Sequence, residues 1–341
     1  MVERGSGDLL KATVEALVNT VNSVGVMGKG LALQFKQAFP ENYVAYRNAC
    51  KTGLISPGKM FTFDRGTLVN PRYIINFPTK RHWKGYSRIE DIAAGLDDLV
   101  DVVQTLGIRS VAVPPLGCGN GGLDWREVSP LIERAFKKLP NVRAVVFPPS
   151  EAPAPSGMVI RTPRPRLTRG RALLIKLLGC YGLSGYKHSK LEVQKLAYLL
   201  QARGESLNLK FVKHLYGPYA DTLNHVLQHL EGHYTSGYGD RSRQSEIHLL
   251  PGSEEEADTV LQDDLEARRR LSEVSQLIEG FASPYGMELL ATVHWVASVE
   301  GATADADILA QVKRWSPRKA TRFEDRHVRK AIERLRSHRW I

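Results

Sequence analysis

Two glycine-rich stretches have the residue types of an anion-binding loop. In ALVNTVNSVGVMGKGLALQF (16–35), an apolar run leads to Gly25, Gly28 and Gly30 before a helical pattern begins. LGCGNGG (116–122) also lies between an apolar run and a helical pattern. Glycine lets the backbone approach a phosphate closely, and unpaired N–H groups at a helix start attract negative charge. Together they predict a site for a phosphorylated ligand, although a structural turn explains either loop alone.

Other site chemistries have weaker support in the sequence. The first loop lacks the dinucleotide spacing GxGxxG after its strand, and neither loop has the P-loop spacing GxxxxGK[ST], which disfavours a Rossmann dehydrogenase and a P-loop NTPase. No set of His, Cys and carboxylate residues has ligand spacing, so we expect no metal and no cofactor. Cys50, Cys118 and Cys180 are too scattered for a disulfide framework. Cys118 has no nearby His, which favours a packed side chain over a nucleophile.

Alternating strand and helix patterns must position the two loops. Buried or β-rich runs predict strands, and apolar residues at helical spacing predict helices, with a capping-box pattern at Ser87 and Glu90. The predicted strands are 15–21, 59–64, 72–77, 110–114 and 142–147, and the helices are 30–39, 41–52, 87–106 and 124–138. Such alternation is typical of an α/β/α domain with a sheet covered on both faces, and ligands bind where its strands end.

The rest of the chain has a different character. Residues 151–171 combine prolines with five arginines and predict an extended linker. From 172 onward the pattern is mainly helical, with one helix beginning at Phe211 and a turn between helices at Gly217-Pro218-Tyr219. The predicted domains are therefore 1–150 and 172–341.

Charge is concentrated in the first domain. The 341 residues carry a net charge of +11, and residues 1–150 hold 19 Lys and Arg against 13 Asp and Glu, which suits contact with a polyanion. Residues 254–266 hold seven carboxylates, as in a solvated loop or an imitation of a DNA backbone. No signal peptide or membrane-length apolar run is evident, so we expect a cytoplasmic protein without membrane contact.

Separated blocks of the first domain resemble a macrodomain, the ADP-ribose-binding module. These blocks are GDLL (7–10), VNTVN (18–22), GKGLA (28–32) and LGCG (116–119). The longer blocks VNTVNSVGVMGKGLALQFK, NFPTKRHWKGYSRIEDI and PPLGCGNGGLDW are similar to the DarG antitoxins of DarT–DarG pairs and to terminal ADP-ribose protein glycohydrolase. The second domain resembles the partner-binding half of DarG.

The resemblance implies a fold and an activity. The fold is a three-layer α/β/α macrodomain with a mixed sheet, followed by a mainly helical domain. The activity is hydrolysis of the N-glycosidic bond that joins ADP-ribose to thymidine in single-stranded DNA, while the second domain binds and neutralises a DarT-type toxin. A non-catalytic ADP-ribose reader and a protein-directed ADP-ribosyl glycohydrolase are the alternatives.

The resemblance also implies roles for individual residues. Asp8 accepts from the adenine amino group and Leu9 lines the base, although Asp8 by itself is best explained as the cap of a turn. Thr20, Val21 and Asn22 lie by the distal ribose, and Asn22 is otherwise an ordinary turn residue. The remaining ligand-binding residues are Thr79 and those that wrap the phosphates: Gly28, Lys29, Gly30, Leu31, Gly117, Cys118, Gly119, Asn120 and Gly121.

Lys80 decides between a binder and an enzyme. In the glycohydrolases that the chain resembles, this lysine attacks or polarises the anomeric carbon of the distal ribose; without the resemblance, Lys80 is a surface lysine in a basic cluster. A nucleophilic amine must be partly deprotonated, whereas an electrostatic or acid catalyst stays charged, and the sequence leaves both open.

One departure from the family pattern bears on the substrate. The protein glycohydrolase has an acid in its second loop where this chain has Gly121, with Asp124 three residues on, which disfavours a Lys/Asp mechanism and a protein-linked substrate. Trp83 and Tyr86 are candidates for stacking on DNA bases, and Tyr73 is as easily a core residue.

Overall fold

The computed structural model describes residues 1–149, 158–181, 186–239 and 246–341. They form two compact units. The first contains the described residues of Met1–Pro163 together with Gly239, and the second contains the other described residues from Arg164 onward.

A six-stranded sheet forms the centre of the first unit. Its order is β1-β6-β5-β2-β4-β3. The pairs are parallel except for β3 and β4, so the sheet is mixed, as predicted. The strands are β1 Val2–Arg4, β2 Ala16–Asn22, β3 Phe61–Asp64, β4 Tyr73–Lys80, β5 Ser110–Val113 and β6 Arg143–Val146.

Helices cover both faces of this sheet. They are α1 Gly30–Ala38, α2 Pro40–Lys51, α3 Ile89–Thr105 and α4 Trp125–Lys137. Because neighbouring strand residues point to opposite faces, Leu17 packs with Phe35 of α1 in one apolar cluster while Val18 packs with Leu96 of α3 in another. The three-layer α/β/α architecture is confirmed.

The start of α3 differs from the prediction. The helix begins at Ile89, and its N-cap is Arg88 rather than Ser87. The Ser87 hydroxyl is buried beside Gly117 and Gly121 and has no hydrogen-bond partner in the described chain. The predicted capping box is therefore wrong, because this side chain packs under the second glycine loop.

The segment predicted as a linker divides into three parts. Residues 151–157 lie outside the described residues. Val159 packs against the apolar cluster around Phe35, and the Arg161 N–H donates to the Gln37 carbonyl at 2.8 Å. Helix α5 then begins at Arg169.

The second unit is mainly helical, as predicted, around a core that includes Leu173, Leu196 and Leu290. Its helices are α5 Arg169–Cys180, α6 Lys190–Ala202, α7 Leu223–Leu230, α8 Ser253–Val260, α9 Leu265–Ile278, α10 Pro284–Ser298, α11 Asp305–Arg314, α12 Pro317–Arg322 and α13 Asp325–Ser337. Its strands are β7 Val212–His214, β8 Gly217–Tyr219, β9 Thr235–Ser236 and β10 His248–Leu249. No helix in the described part of the chain is both long and apolar enough to cross a bilayer.

Two predictions for this unit are wrong. The helix predicted from Phe211 and the turn predicted between helices at 217–219 together form the antiparallel hairpin β7–β8. Gly217 has φ +92°, and the buried Lys195 Nζ donates to the Pro218 carbonyl at 2.6 Å. Tertiary hydrogen bonding thus stabilises an extended segment here.

The acidic stretch is neither a loop nor a free anionic surface. It contains α8 and the start of α9, and five of its seven carboxylates pair with basic residues of the same unit. These pairs join Glu254 and Asp258 to Lys176, Glu256 to Arg164, Asp264 to Arg169, and Glu266 to Arg270. Such internal pairing weakens the interpretation of the stretch as an imitation of a DNA backbone.

Candidate functional site

The site begins where β2 and β4 end side by side. Their register pairs Asn22 with Lys80 after an irregularity at Val21. The Ser23 N–H donates to the Lys80 carbonyl at 3.0 Å. The end of β4 is thereby fixed to the start of the first glycine loop.

Asn22 organises the first loop. Its Nδ2 donates to the Val26 carbonyl at 2.6 Å, and its Oδ1 accepts from the N–H groups of Val24 at 3.1 Å and Val26 at 3.3 Å. Tyr46 donates its hydroxyl proton to the Asn22 carbonyl. The Asn22 side chain is thus engaged with the loop backbone.

Helix α1 starts directly from this loop. Its N-cap is Lys29, and its first residue, Gly30, has φ +57°, which favours glycine. The Gly30 N–H donates to the Gly239 carbonyl at 2.6 Å, within the same compact unit. This amide is therefore already paired with an acceptor oxygen, which a phosphate oxygen would have to replace.

The second loop is a tight turn between β5 and α4. The Leu123 N–H donates to the Gly117 carbonyl at 3.1 Å, and the Gly122 N–H donates to the Gly119 carbonyl at 3.1 Å. Within the described residues, the N–H groups of Gly119, Asn120 and Gly121 have no hydrogen-bond partner. Consecutive unpaired amides form the kind of concave nest that binds phosphate oxygens.

Lys80 joins the two loops. Its ammonium donates to the Asn120 carbonyl of the second loop. A Cβ built at Gly30 would lie 3.5 Å from the Asn120 Nδ2, so the loops are neighbours. Lys80 and the two glycine loops therefore lie next to one another, and we call the space beside them the cleft.

Lys80 has an unusual environment for a lysine. It is only 9% exposed, and it makes no ion pair with a carboxylate in the described chain. Burial lowers the pKa of its ammonium below the usual value. The side chain is therefore partly activated as an amine, while its hydrogen bond to a carbonyl favours the charged form.

Three buried asparagines form a hydrogen-bonded network, Asn19 in β2, Asn76 in β4 and Asn42 in α2. Asn19 Nδ2 donates to Asn76 Oδ1 at 3.0 Å, and Asn76 Nδ2 donates to Asn42 Oδ1 at 2.7 Å. Asn19 Oδ1 is buried without a partner in the described chain. The sequence signal for this network is an asparagine inside each of two apolar strands, whereas nothing in the sequence marks Asn42 of α2.

Asp8 and Leu9 lie at the predicted adenine end. Asp8 Oδ1 accepts from the Leu10 N–H at 3.0 Å and caps the short 3-10 helix Leu9–Lys11, which is the role expected from the residue alone. Asp8 also lines a small cavity with Gln34, whose buried Oε1 has no partner in the described chain. No motif pointed to Gln34.

Of the other predicted residues, Thr20 lies in β2, Thr79 in β4 and Cys118 in the second glycine loop. Thr79 donates its hydroxyl proton to the Val21 carbonyl at 3.4 Å, and Thr20 lies between two buried residues of β2. Cys118 is partly buried, and burial with the nearby Asp124 carboxylate raises its pKa to about 11, so it is a poor nucleophile.

The candidate second acid does not complete a pair with Lys80. Asp124 caps α4 by accepting from the Arg126 N–H at 2.9 Å, and its carboxylate pairs with the Arg126 guanidinium at 2.7 Å. A side chain at Gly121 would place its Cβ 2.2 Å from the Gly117 carbonyl oxygen, so this loop conformation excludes an acid there. We found no cluster of His, Cys, Asp and Glu that could hold a metal among the described residues.

The aromatic candidates differ in position. Tyr73 is buried in the sheet core, whereas Trp83 is 50% and Tyr86 84% exposed. Trp83 and Tyr86 lie three and six residues after Lys80, so they are available to contact bases beside the cleft.

Comparison with known proteins places the chain in a family. The family model described as Macro domain matches residues 18–132. A Thermus aquaticus protein named DNA ADP-ribosyl glycohydrolase is 50% identical over 329 residues, covering 96% of this chain and 91% of that protein. The chain belongs to the DNA ADP-ribosyl glycohydrolase family.

Two further relatives of this family bear on its organisation. A Mycobacterium tuberculosis protein of the same name is 44% identical over 353 residues, covering 98% of this chain and 99% of that protein. A Thermosipho africanus protein named DNA ADP-ribosyl transferase-DNA ADP-ribosyl glycohydrolase fusion protein is 38% identical over 164 residues, covering 44% of this chain and 42% of that protein. The predicted macrodomain and the resemblance to the DarG antitoxins, a family of hydrolases, are confirmed.

Proposed function

We propose that this protein hydrolyses the N-glycosidic bond between ADP-ribose and thymidine in single-stranded DNA, and that its second unit binds and neutralises a DarT-type toxin. The structural observation that carries the first part is the contact of the Lys80 ammonium with Asn120, between the two glycine loops. The family membership supports the choice of DNA over protein as the carrier of ADP-ribose.

The loops account for binding of the nucleotide. The diphosphate accepts from the amides of Gly119, Asn120 and Gly121 and from the start of α1, where the helix dipole favours negative charge. Asp8 and Leu9 hold the adenine, and the distal ribose then lies beside Lys80. Neutral amides hold the diphosphate without a permanent ion pair, which allows the released ADP-ribose to leave.

Lys80 supplies the chemistry at the anomeric carbon. In the nucleophilic route, its neutral amine forms a C–N bond to that carbon as the bond to the thymine nitrogen breaks, and the thymine takes up a proton. Water then hydrolyses the lysine adduct, releasing ADP-ribose and restoring the amine. In the electrostatic route, water attacks the carbon directly as the bond to the thymine nitrogen breaks. The charged Lys80 stabilises the negative charge that develops on the thymine, which takes up the proton lost by the water.

The nucleophilic route has the stronger structural support. Burial favours the neutral amine, and neither Asp124 nor Gly121 offers a free carboxylate to activate water. Trapping with borohydride distinguishes the routes, because the lysine adduct can open its ribose ring to an imine that hydride reduces to a stable amine. A covalent adduct of ADP-ribose on Lys80 supports nucleophilic attack, and its absence during turnover supports the electrostatic route.

The substrate assignment is tested by competition. The purified protein receives equal concentrations of a single-stranded oligonucleotide ADP-ribosylated on thymidine and of an ADP-ribosylated protein, and release of ADP-ribose from each is followed. We expect release from DNA at a much higher kcat/KM. Preferential release from the protein would support a protein-directed glycohydrolase, and release from neither would support a reader module.

Toxin neutralisation must be separated from removal of the modification. The fusion of a DNA ADP-ribosyl transferase with a related glycohydrolase in one polypeptide supports a functional pairing of the two activities. The Lys80→Gln variant cannot reverse the modification in this account, so any inhibition of a cognate DarT-type toxin by it reports binding. We expect it to inhibit the toxin as the wild type does in single-turnover assays, and failure to inhibit would refute toxin binding by this protein.

A further inference from the structure

A second cavity in the first unit lies away from the glycine loops. It has a volume of about 220 Å³ and is lined by Lys11, Thr13, Phe39, Asn70 and Arg161, among others. None of its lining residues is an aspartate or glutamate. The cavity therefore has two cationic side chains and no carboxylate in its wall.

The cavity and the cleft lie at opposite edges of the sheet. Thr13 precedes β2 and Asn70 precedes β4, whereas the first glycine loop follows β2 and Lys80 ends β4. The seven residues of β2 separate these edges by about 20 Å. Helix α1 connects them, because it begins at the first loop and its last residue, Ala38, lines the cavity.

Positive charge accumulates around one ring in this cavity. The guanidinium of Arg161 lies 5.4 Å from the centroid of Phe39, and that of Arg65 lies 5.2 Å from it. Arg65 is held by its hydrogen bond to the Pro71 carbonyl at 2.6 Å, and its Nε lies 3.9 Å from the Glu41 carboxylate, so one carboxylate lies near the two guanidinium groups. Burial, and then the charge of Arg161, lower the pKa of Arg65. Two guanidinium groups that repel each other beside a cavity are stabilised by an anion placed within it.

We propose that this cavity binds a phosphoryl group, and that the group belongs to the backbone of the DNA whose modified nucleotide occupies the cleft. The assignment of the phosphate to DNA rests on the proposed function. Arg161 and Lys11 are suited to phosphate oxygens, and the Asn70 amide and Thr13 hydroxyl add donors. The volume is below that of most sites for whole small molecules, so it suits a phosphate with part of its sugar.

The separation sets the length of DNA required. At a stacked rise of about 3.4 Å per nucleotide, the distance of about 20 Å corresponds to about six nucleotides. An oligonucleotide carrying only one or two nucleotides beside the modified thymidine cannot reach the cavity, whereas one with about ten on each side can. The contribution of the cavity must therefore depend on the length of the DNA.

The test compares two variants of the full chain that remove the same charge. Lys11→Gln/Arg161→Gln alters the cavity, and Arg134→Gln/Lys137→Gln alters two exposed residues of α4 as the matched control. For each protein we measure the affinity for unmodified single strands by fluorescence anisotropy at several salt concentrations. We also measure the kcat and KM for short and long modified oligonucleotides and the affinity for free ADP-ribose.

The cavity variant should lose about tenfold in affinity for long strands, and its salt slope should fall by about 0.7 for one lost phosphate contact. Its KM should rise for long substrates. Its KM for short substrates, its kcat and its affinity for ADP-ribose should stay unchanged. An equal loss in the control variant, or equal changes for short and long DNA, would overturn the proposal.

A separate arm identifies the source of the phosphate. We measure the binding of inorganic phosphate to the wild type and to the cavity variant by calorimetry, and compare the two. If only the wild type binds the free ion while oligonucleotide binding is unchanged, the cavity takes a small phosphate and the DNA assignment is wrong. If the wild type binds long strands through the cavity but releases no ADP-ribose, the cavity proposal stands and the proposed function fails.

Discussion

Substitution of Gly121 by alanine tests whether the second loop must keep its shape to bind the ligand. A Cβ there would lie 2.2 Å from the Gly117 carbonyl oxygen and 2.3 Å from the Ser87 Oγ. The serine side chain can rotate, but the carbonyl is part of the loop backbone. A normal contact therefore requires the backbone to move by about 1 Å, and overpacking of this kind costs about 1–3 kcal/mol.

That displacement should appear as weaker binding. The moved segment carries the unpaired N–H groups that we assign to the diphosphate, so a cost of about 1–3 kcal/mol corresponds to a loss in ADP-ribose affinity of about 5- to 150-fold. Gly119→Ala is the matched control in the same loop, because no atom lies within 4 Å of a Cβ built at Gly119. Titration calorimetry with ADP-ribose measures both variants against the wild type.

The reasoning fails if the two variants behave alike. Wild-type affinity in Gly121→Ala would show that the ligand does not contact this loop as we describe. An equally large loss in Gly119→Ala, with its unfolding midpoint unchanged, would show that the crowding at Gly121 is not the cause. The unfolding midpoint of each variant, measured by denaturant titration, separates lost binding from lost folding.

Three further predictions concern other parts of the molecule. Trp83→Ala should raise the KM for modified oligonucleotides by the equivalent of about 1–3 kcal/mol, while the affinity for free ADP-ribose stays unchanged, because the half-exposed ring is available to stack on a DNA base and the adenine of ADP-ribose is assigned to Asp8 and Leu9; equal effects on both ligands would contradict this. Asp124→Asn should keep turnover within about twofold, since its exposed ion pair with Arg126 contributes little and no catalytic carboxylate is needed; a loss of about 100-fold would reveal a role as an acid or base. Glu288→Gln should destabilise the second unit by about 3–5 kcal/mol in denaturant titrations, because the buried Lys319 loses its carboxylate at 2.6 Å. Burial lowers the pKa of Lys319 to about 8 in the folded state, so between pH 8 and the higher pKa of the unfolded state the unfolded state binds more protons and stability rises with pH. A neutral Lys319 does not need the carboxylate, so the stability deficit of Glu288→Gln should shrink from pH 7 to pH 9. A deficit that grows would contradict this sign.

The sequence was most informative where a local pattern has one structural outcome. Alternating apolar runs and amphipathic segments predicted β2, β4, α1 and α4 to within a few residues, because each buries one face against the sheet. The mixed sheet and the helical second unit were also predicted correctly.

Errors arose where distant contacts decide the local structure. Ser87 has the spacing of a capping box, but its side chain packs under the second glycine loop. Gly217-Pro218-Tyr219 has turn-forming residues, yet it is a strand because the buried Lys195 bonds to the Pro218 carbonyl. The spacing of residues along a chain carries no information about such partners.

In the candidate site, too, some features could be predicted from the sequence and others depend on distant contacts. The glycine loops could be found from their residue types and spacing, whereas Lys80 was identified only through the resemblance to a known family. The asparagines at 42 and 76, and the crowding that excludes an acid at Gly121, depend on contacts between segments that are far apart in the chain. These features became evident only from the folded arrangement.

Release of ADP-ribose by the Lys80→Gln variant tests the central claim most directly. Lys84→Gln is the control, because Lys84 is an exposed lysine of the same basic cluster. With an oligonucleotide ADP-ribosylated on thymidine, Lys80→Gln should lose about 100- to 10,000-fold in turnover while free ADP-ribose affinity and Lys84→Gln turnover stay near wild type. Wild-type turnover in Lys80→Gln, or a loss fully explained by weaker ADP-ribose binding, would contradict the assignment of Lys80 as the residue that acts on the bond.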